Sequence, residues 1–484
     1  MVQLNGIKEK IMSHISLIKK LAFVFTAVMM ILTACSPAAA PPQAEPQTIE
    51  VTKIVAGTPV VQQVVVTATA QPAATAKPKP TGKLTLWIWK AADDALKAGV
   101  MDDFKKEYPG IEIETVEASA NDIQQKMLMA ISAGTGVPDI VAIESSHLAQ
   151  FVDQGGLSDI SDLVAPYVDK MNAYKWPDTM KDGKYYAMPW DSGPVVLYYR
   201  RDVFKAAGLP DDPDGVSKTI ATWDDYLSAC KTIKEKTKAD CFSLNKANNY
   251  ARLYEMMLWQ QGLGYVNDQG LVTVDSPENI ATLEKMAEFW KANVVSDQLE
   301  WGDGWYAELG SKDQPIATLV EAAWMGAFLK GWIATGTAGN WGVALMPAMK
   351  AGQVRAANDG GSNLAIPEMS QNKEAARAFV EFALGRPQSQ LKMFAASDFL
   401  PSLETTYDDA LFIETDSFFG GQATRKVYVD VVKQIPRAYV YGPYYTQMNG
   451  FVSTAVQKVG TGAVSAADAL KEAAEAIRQQ TGLE

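Results

Sequence analysis

From Lys83 to Ile143, short apolar strands alternate with amphipathic helices, and this alternation constrains the fold more than any other feature. Lys83-Leu-Thr-Leu-Trp-Ile-Trp89 reads as a buried strand. The next helix has Asp93 and Asp94 in its first turn and Lys105 and Lys106 in its last, which suits the helix dipole. Leu96, Val100, Met101, Phe104 and Tyr108 keep helical spacing, and Pro109-Gly110 stops the run. Ile111-Glu-Ile-Glu114 alternates as a strand. A second helix carries Ile123, Met127, Leu128 and Ile131 and ends at Gly134, before the apolar strand Ile140-Val-Ala-Ile143. Strands separated by helices of this length predict an α/β fold with a mostly parallel sheet. Ligands bind beyond the carboxyl ends of such strands. Trp89, Lys90 and the stretch Glu144-Ser-Ser-His147 occupy those ends.

A second α/β region follows. Ser276 caps a helix that Pro277 opens and that Leu283, Met286, Ala287 and Trp290 line. Ser465-Ala-Ala-Asp468 starts a last helix with Leu470, Ala474 and Ile477 inward.

Composition removes several classes of function. Residues are 48% hydrophobic, ample for packed cores. The net charge of −12 argues against nucleic acid, because phosphates need a basic face. With only 2 histidines and 3 cysteines, a His/Cys zinc site is nearly excluded, and no metal or other cofactor is expected. A Ser-His-Asp hydrolase would have to rely on His147, since His14 lies in a segment expected to be removed.

That segment is an export address. Lys8, Lys10, Lys19 and Lys20 precede the apolar run Leu21 to Leu32. As a helix the run rises about 18 Å, too short for a hydrocarbon core of roughly 30 Å. Leu32-Thr-Ala-Cys35 resembles a bacterial lipobox, so residues 1–34 read as a lipoprotein signal peptide and Cys35 as the lipidated residue. Residues 35–82 read as a flexible tether, rich in Pro, Ala and Thr and free of aromatic residues. Within it, Val60-Val-Gln-Gln-Val-Val-Val66 has high β propensity. Beyond Cys35 only Cys230 and Cys241 remain, in a body expected to be exported. A disulfide between them is the expectation, with two buried free thiols as the alternative.

The order of further segments resembles the extracellular solute-binding proteins of ABC importers, a family that includes the maltose-binding protein. The likeness runs through Phe104-Lys-Lys-Glu-Tyr-Pro-Gly-Ile111, the stretch Lys126 to Ile140, Asp182-Gly-Lys-Tyr-Tyr-Ala-Met-Pro189, Thr222-Trp-Asp-Asp225 and Gly342-Val-Ala-Leu-Met-Pro347. It covers nearly all of residues 83–484. One stretch departs: Pro315 to Trp324 stands where the family often shows Gly-Lys-Ala-Ala-Met before a cleft tryptophan. The resemblance implies a two-lobed periplasmic-binding-protein fold with discontinuous lobes, hinge segments and an interlobe ligand cleft. Lobe 1 is expected over 83–190 plus 347–397 and lobe 2 over 196–341 plus 402–484, with crossings near 190–196, 341–347 and 397–402.

A sugar site should mix aromatic rings, which pack on C–H faces, with side chains that pair hydroxyls. The candidates are Trp89, Lys90, Glu144, Ser145, Trp190, Asp191, Asn248, Asn249, Tyr250, Trp324, Asp359, Gly360, Gly361, Tyr444, Tyr445 and Asn449. Plainer roles stand beside these: core packing for the tryptophans, helix capping for Ser145 and turns for Asn248, Asn249 and Asp359–Gly361. The expected function is capture of a small solute, a sugar or oligosaccharide first, for delivery to ABC permease subunits. The protein is expected as a monomer, extracytoplasmic and held at the cell membrane by its lipid, with no catalysis. Polyols, glycerol phosphates and polyamines remain open as solutes. The alternatives are an anchored polysaccharide-acting enzyme with two carboxylates and an adhesion module without a cleft.

Overall fold

The computed structural model describes residues 47–55, 58–66, 79–247, 251–435 and 439–484. The chain divides into two compact units, Met1–Pro78 and Lys79–Glu484. In the first, β1 (Gln47–Val55) and β2 (Thr58–Val66) pair antiparallel, in register from Gln47↔Val66 to Val55↔Thr58. The tether reading of 35–82 is corrected over this stretch. Val, Ile and Thr dominate both segments, and β-branched residues favour paired, extended chain over loose linker. The stretch expected to be a signal peptide, residues 1–34, and Cys35 lie outside the described residues.

The second unit is the body. It opens with β3 (Gly82–Ile88), α1 (Lys90–Gly99), β4 (Ile111–Glu117), α2 (Ala120–Ala133), β5 (Ile140–Glu144), α3 (Ser145–Asp153) and β6 (Ala187–Pro189). Next come β7 (Asp191–Ser192), β8 (Val195–Arg200), α4 (Trp223–Thr237), α5 (Arg252–Trp259), α6 (Pro277–Lys291), β9 (Thr318–Ala322) and β10 (Trp341–Leu345). Then follow β11 (Ser362–Ala365), α7 (Lys373–Leu384), β12 (Leu400–Pro401), α8 (Tyr445–Gly460) and α9 (Ala466–Thr481).

Two sheets carry two lobes. The first is five-stranded, in the order β4-β3-β5-β11-β6. Its β3 pairs parallel with β4 and β5, whereas β11 pairs antiparallel with β5 and β6. Ile140 and Ala142 of β5 enter one core, with Leu84, Leu86, Ile88 and Phe379. Val141 and Ile143 enter another, with Met127, Leu148 and Phe151. Burial on both faces is why this strand is an unbroken apolar run. The second sheet, β9-β8-β10, is antiparallel throughout, so the parallel pattern holds only for part of the first lobe. Around it α4 begins at a capping box in which Thr222 and Asp225 satisfy each other's backbone N–H. Ser276 and Ser465 cap α6 and α9. Cys230 of α4 and Cys241, beyond its end, form a disulfide with their Cα atoms 5.2 Å apart.

The chain crosses between sheets at three places. β7 and β12 form a short antiparallel pair, Ser192↔Leu400 and Asp191↔Pro401. The remaining crossing is displaced from the expected 341–347. There β10 pairs with β8 along its whole length and belongs to the second sheet. The passage runs instead through 357–362, where Val195 N–H donates to Ala357 O (2.9 Å) and Asp359 N–H to Gly193 O (2.8 Å). The crossings touch closely. A Cβ on Gly193 would lie 1.9 Å from Asp359 O, so only glycine fits there.

Candidate ligand-binding cleft

A cleft of about 910 Å³ lies where the crossings meet the ends of the strands. The carboxyl ends of β3 and β5 and the first residue of β11 share this edge, since Glu144 pairs with Ser362. Trp89, which follows β3, lines the cleft with a half-buried ring. Glu144 also lines it and accepts a hydrogen bond from the Ser146 hydroxyl. His147 stands beside them, and burial pushes its imidazole pKa down, toward the neutral form.

The crossings supply the floor. Asp191 is buried and accepts from the Ser362 backbone N–H (2.8 Å) and hydroxyl. Burial raises its pKa, against the pull of Lys175. Gly360 and Gly361 take φ of 69° and 90°, a region that favours glycine. A Cβ on Gly361 would lie 2.5 Å from both Asp191 O and Lys175 Nζ.

Aromatic rings and a charge cluster form the opposite wall. Trp324 and Trp301 stack at 5.9 Å between ring centroids and 26° between planes. Arg252, the first residue of α5, places its guanidinium 5.5 Å from the Trp324 ring and 5.8 Å from that of Trp301. The same group pairs with Glu321 (2.7 Å) and with Asp359. The Trp324 indole donates to Asp359 O (3.4 Å). Deeper in, Glu255 Oε1 accepts from Tyr265 (2.6 Å), Tyr445 (2.8 Å) and Asn449 (2.8 Å). Burial raises its pKa to about 7 although those three donors oppose the shift. Tyr441 closes this end through its backbone N–H, which donates to Asp178 (2.9 Å). Burial raises the Asp178 pKa to about 7 as well.

Aromatic faces beside paired carboxylates and amides equip this cleft to hold a polyhydroxylated molecule by stacking and hydrogen bonding. Among the described residues no group of three or more His, Cys, Asp or Glu is arranged to hold a metal ion. No helix among them is long and apolar enough to cross a membrane.

The sequence profile of the bacterial extracellular solute-binding proteins matches residues 89–390. The chain belongs to this family. It is therefore a binding protein that acts outside the cytoplasm, and it captures solute for an ABC importer. The arabinooligosaccharide-binding protein of Halalkalibacterium halodurans is 26% identical over 362 residues, 73% of this chain and 79% of that protein. The lactose-binding protein of Rhizobium radiobacter is 26% identical over 384 residues, 77% and 87% of the two chains. Among solved structures, the ABC transporter associated binding protein of B. animalis subsp. lactis with β-1,6-galactobiose superposes with a TM-score of 0.69. It is 25% identical, over 82% of this chain and 97% of that one.

In this solute-binding protein the expected site residues divide. Trp89, Glu144, Asp191, Trp324, Asp359, Gly360, Gly361, Tyr445 and Asn449 all line the cleft. Four do not. Lys90 is exposed and pairs with Asp94 one helical turn on (2.8 Å). Ser145 is buried behind the wall, where it donates to Gly361 O (2.9 Å) and accepts from Lys175 (2.6 Å). Trp190 is wholly buried in the first-lobe core against Phe399, because neighbours on extended chain point opposite ways and Asp191 takes the cleft side. Tyr444 lies exposed at the start of α8. Asn248, Asn249 and Tyr250 lie outside the described residues. Sequence reading missed Arg252, Glu255, Trp301 and Tyr441. Trp301 had a signal, since Trp301-Gly-Asp-Gly-Trp305 puts tryptophan among turn residues. Its φ of 62° is rare for a large side chain and fixes the ring at a bend. Arg252 had none, because an arginine opening a helix reads as surface.

Proposed function

We propose that this binding protein captures a sugar or oligosaccharide in the cleft and hands it to ABC permease subunits. The stacked pair Trp301 and Trp324, set among Asp, Glu and Asn side chains, carries this reading. C–H faces of a sugar pack on such rings while carboxylates and amides pair its hydroxyls. The volume of about 910 Å³ is near the top of the usual range for small-molecule sites, about 300–1,000 Å³, and leaves room for more than one ring. The named ligands of its relatives, arabinooligosaccharide, lactose and β-1,6-galactobiose, support the same class. In this reading the protein is a monomer held to the cell membrane by lipid on Cys35, and the lobes close on the sugar by hinge motion at the crossings.

The test is a thermal-shift and calorimetric panel of arabino-oligosaccharides, lactose and β-1,6-galactobiose on the mature protein, with solution scattering of any complex. Saturable 1:1 binding, recovery of the sugar intact and a smaller radius of gyration are expected. Turnover of a polysaccharide would overturn the reading in favour of an anchored enzyme. Mass spectrometry of the membrane fraction should find Cys35 as an acylated N-terminus; a mature chain that keeps Met1 rules the anchor out.

A further inference from the structure

The charge of the cleft wall narrows the ligand class further. Among the described lining residues Glu144, Asp191, Glu255 and Asp359 are acids, and Arg252 is the one permanent cation. The unplaced candidates Asn248, Asn249 and Tyr250 add no charge at neutral pH. The Arg252 charge is already outnumbered by the carboxylates it pairs with. Glu321 and Asp359 both pair with its Nη2, and Trp301 and Trp324 lie 5.8 and 5.5 Å from its guanidinium. Its work is to hold the two rings and to balance two buried carboxylates. Lys175 is buried behind Gly361 and bonded to Ser145, out of reach of the cleft. The crowding of carboxylates is visible in Glu321, whose pKa is raised by burial and by the nearby Asp359 and Glu300, against the pull of Arg252.

We propose that the cleft admits saccharides without negative charge and ranks an amino sugar above its acidic counterpart. This rests on the sugar reading above. One unbalanced carboxylate at 6–8 Å, in surroundings of effective dielectric near 20, disfavours an anion by roughly 30- to 100-fold before salt screening. A sugar phosphate or uronic acid meets that penalty, and among the described lining residues no cation besides the carboxylate-paired Arg252 offsets it. A hydroxyl meets none, and a protonated amine gains from it.

The experiment compares galactose, galactosamine, galacturonate and sn-glycerol 3-phosphate by calorimetry at one ionic strength. Galacturonate and the phosphate should bind at least about tenfold more weakly than galactose, and galactosamine no more weakly. An acidic probe binding within about threefold of galactose overturns the proposal. Binding of the amine alone, with galactose and the neutral oligosaccharides inert, would remove the sugar reading and leave the charge selection standing. A second measurement needs no ligand. Quenching of the Trp324 fluorescence component by caesium and by iodide is compared, each normalised to free N-acetyltryptophanamide. The component is the difference between the protein and its Trp324→Phe variant, or Trp301→Phe if the first does not fold. Caesium should quench it more strongly; iodide quenching that equals or exceeds caesium overturns the charge argument whatever the ligand.

Discussion

Lys175, buried on the first-lobe side, and Arg252, partly buried on the second-lobe side, each sit among carboxylates, but only Arg252 reaches the cleft. Lys175 faces Asp191, Glu144 and Asp178 and is sealed behind the main chain of Gly361. Burial lowers its pKa and raises that of Asp191, and each charge partly offsets the shift of the other. The first wall is therefore backed by a charge pair of which Asp191 lines the cleft and the cation lies behind the main chain. The second wall is made of rings and side chains, held by a partly buried cation that borders the cleft. A buried ion pair serves fold or ligand according to which side of the wall its atoms occupy.

The largest expected effect separates these roles. Lys175→Met strands Asp191 in the interior and should cost about 3–5 kcal/mol in urea unfolding, the penalty for removing one partner of a buried pair. Arg252→Met should cost less stability, because Asp359 and Glu321 can draw on water from the cleft, while weakening sugar binding more. Equal losses of stability, with equal effects on binding, would break the comparison.

Next in size is a pH effect. Glu255 has its folded pKa raised to about 7 from 4.5, so the folded state holds its proton more tightly than the unfolded chain. The stabilisation is complete below about pH 4.5 and is lost as pH rises toward 7. Across that window the group alone should account for a fall of about 2–3 kcal/mol. Glu255→Gln should flatten this part of the profile, read as urea midpoints at pH 5 and pH 8. Asp178, raised from 3.8 to about 7, acts with the same sign from the other side of the cleft. An unchanged slope in Glu255→Gln would assign the pH dependence to Asp178 and so to the first lobe.

Trp324→Ala tests the second wall at its surface. The ring is only half-buried, and its loss should weaken sugar binding by about 1–3 kcal/mol with a smaller loss of stability. If the variant unfolds instead, the ring belongs to the core and the two walls are alike.

The strands of the first lobe were legible because burial on both faces leaves an unbroken apolar run, as in Ile140 to Ile143. The starts of α6 and α9 were legible because Ser276 and Ser465 act on residues three positions on. The antiparallel second sheet was less so, since strand direction depends on partners such as Val195↔Ala322, far apart in sequence. The same reason hid the second wall. Arg252, Trp301 and Trp324 converge only through the fold, and no local pattern marks an arginine that will be paired with Glu321 and Asp359. Strand ends pointed to Trp89 and Glu144 but not to which neighbour turns inward.

Lys90 shows how that last step fails, and it sets the smallest expected effect. It follows Trp89 at the end of the first strand, so position alone places it at the cleft. The chain has already entered α1 at this residue, and a helix turns successive side chains by about 100°. Trp89 keeps the cleft side, while Lys90 points to solvent and pairs with Asp94 at the i,i+4 spacing. Both partners are largely exposed, and such pairs contribute about 0.3–0.5 kcal/mol. Lys90→Ala should therefore shift stability by no more than about 0.5 kcal/mol and leave sugar affinity within about twofold. Calorimetry on the variant, with the sugar that binds the unmodified protein, decides the point. A tenfold loss would bring the lysine back to the ligand and give the first wall a cation that the charge argument for the cleft does not allow.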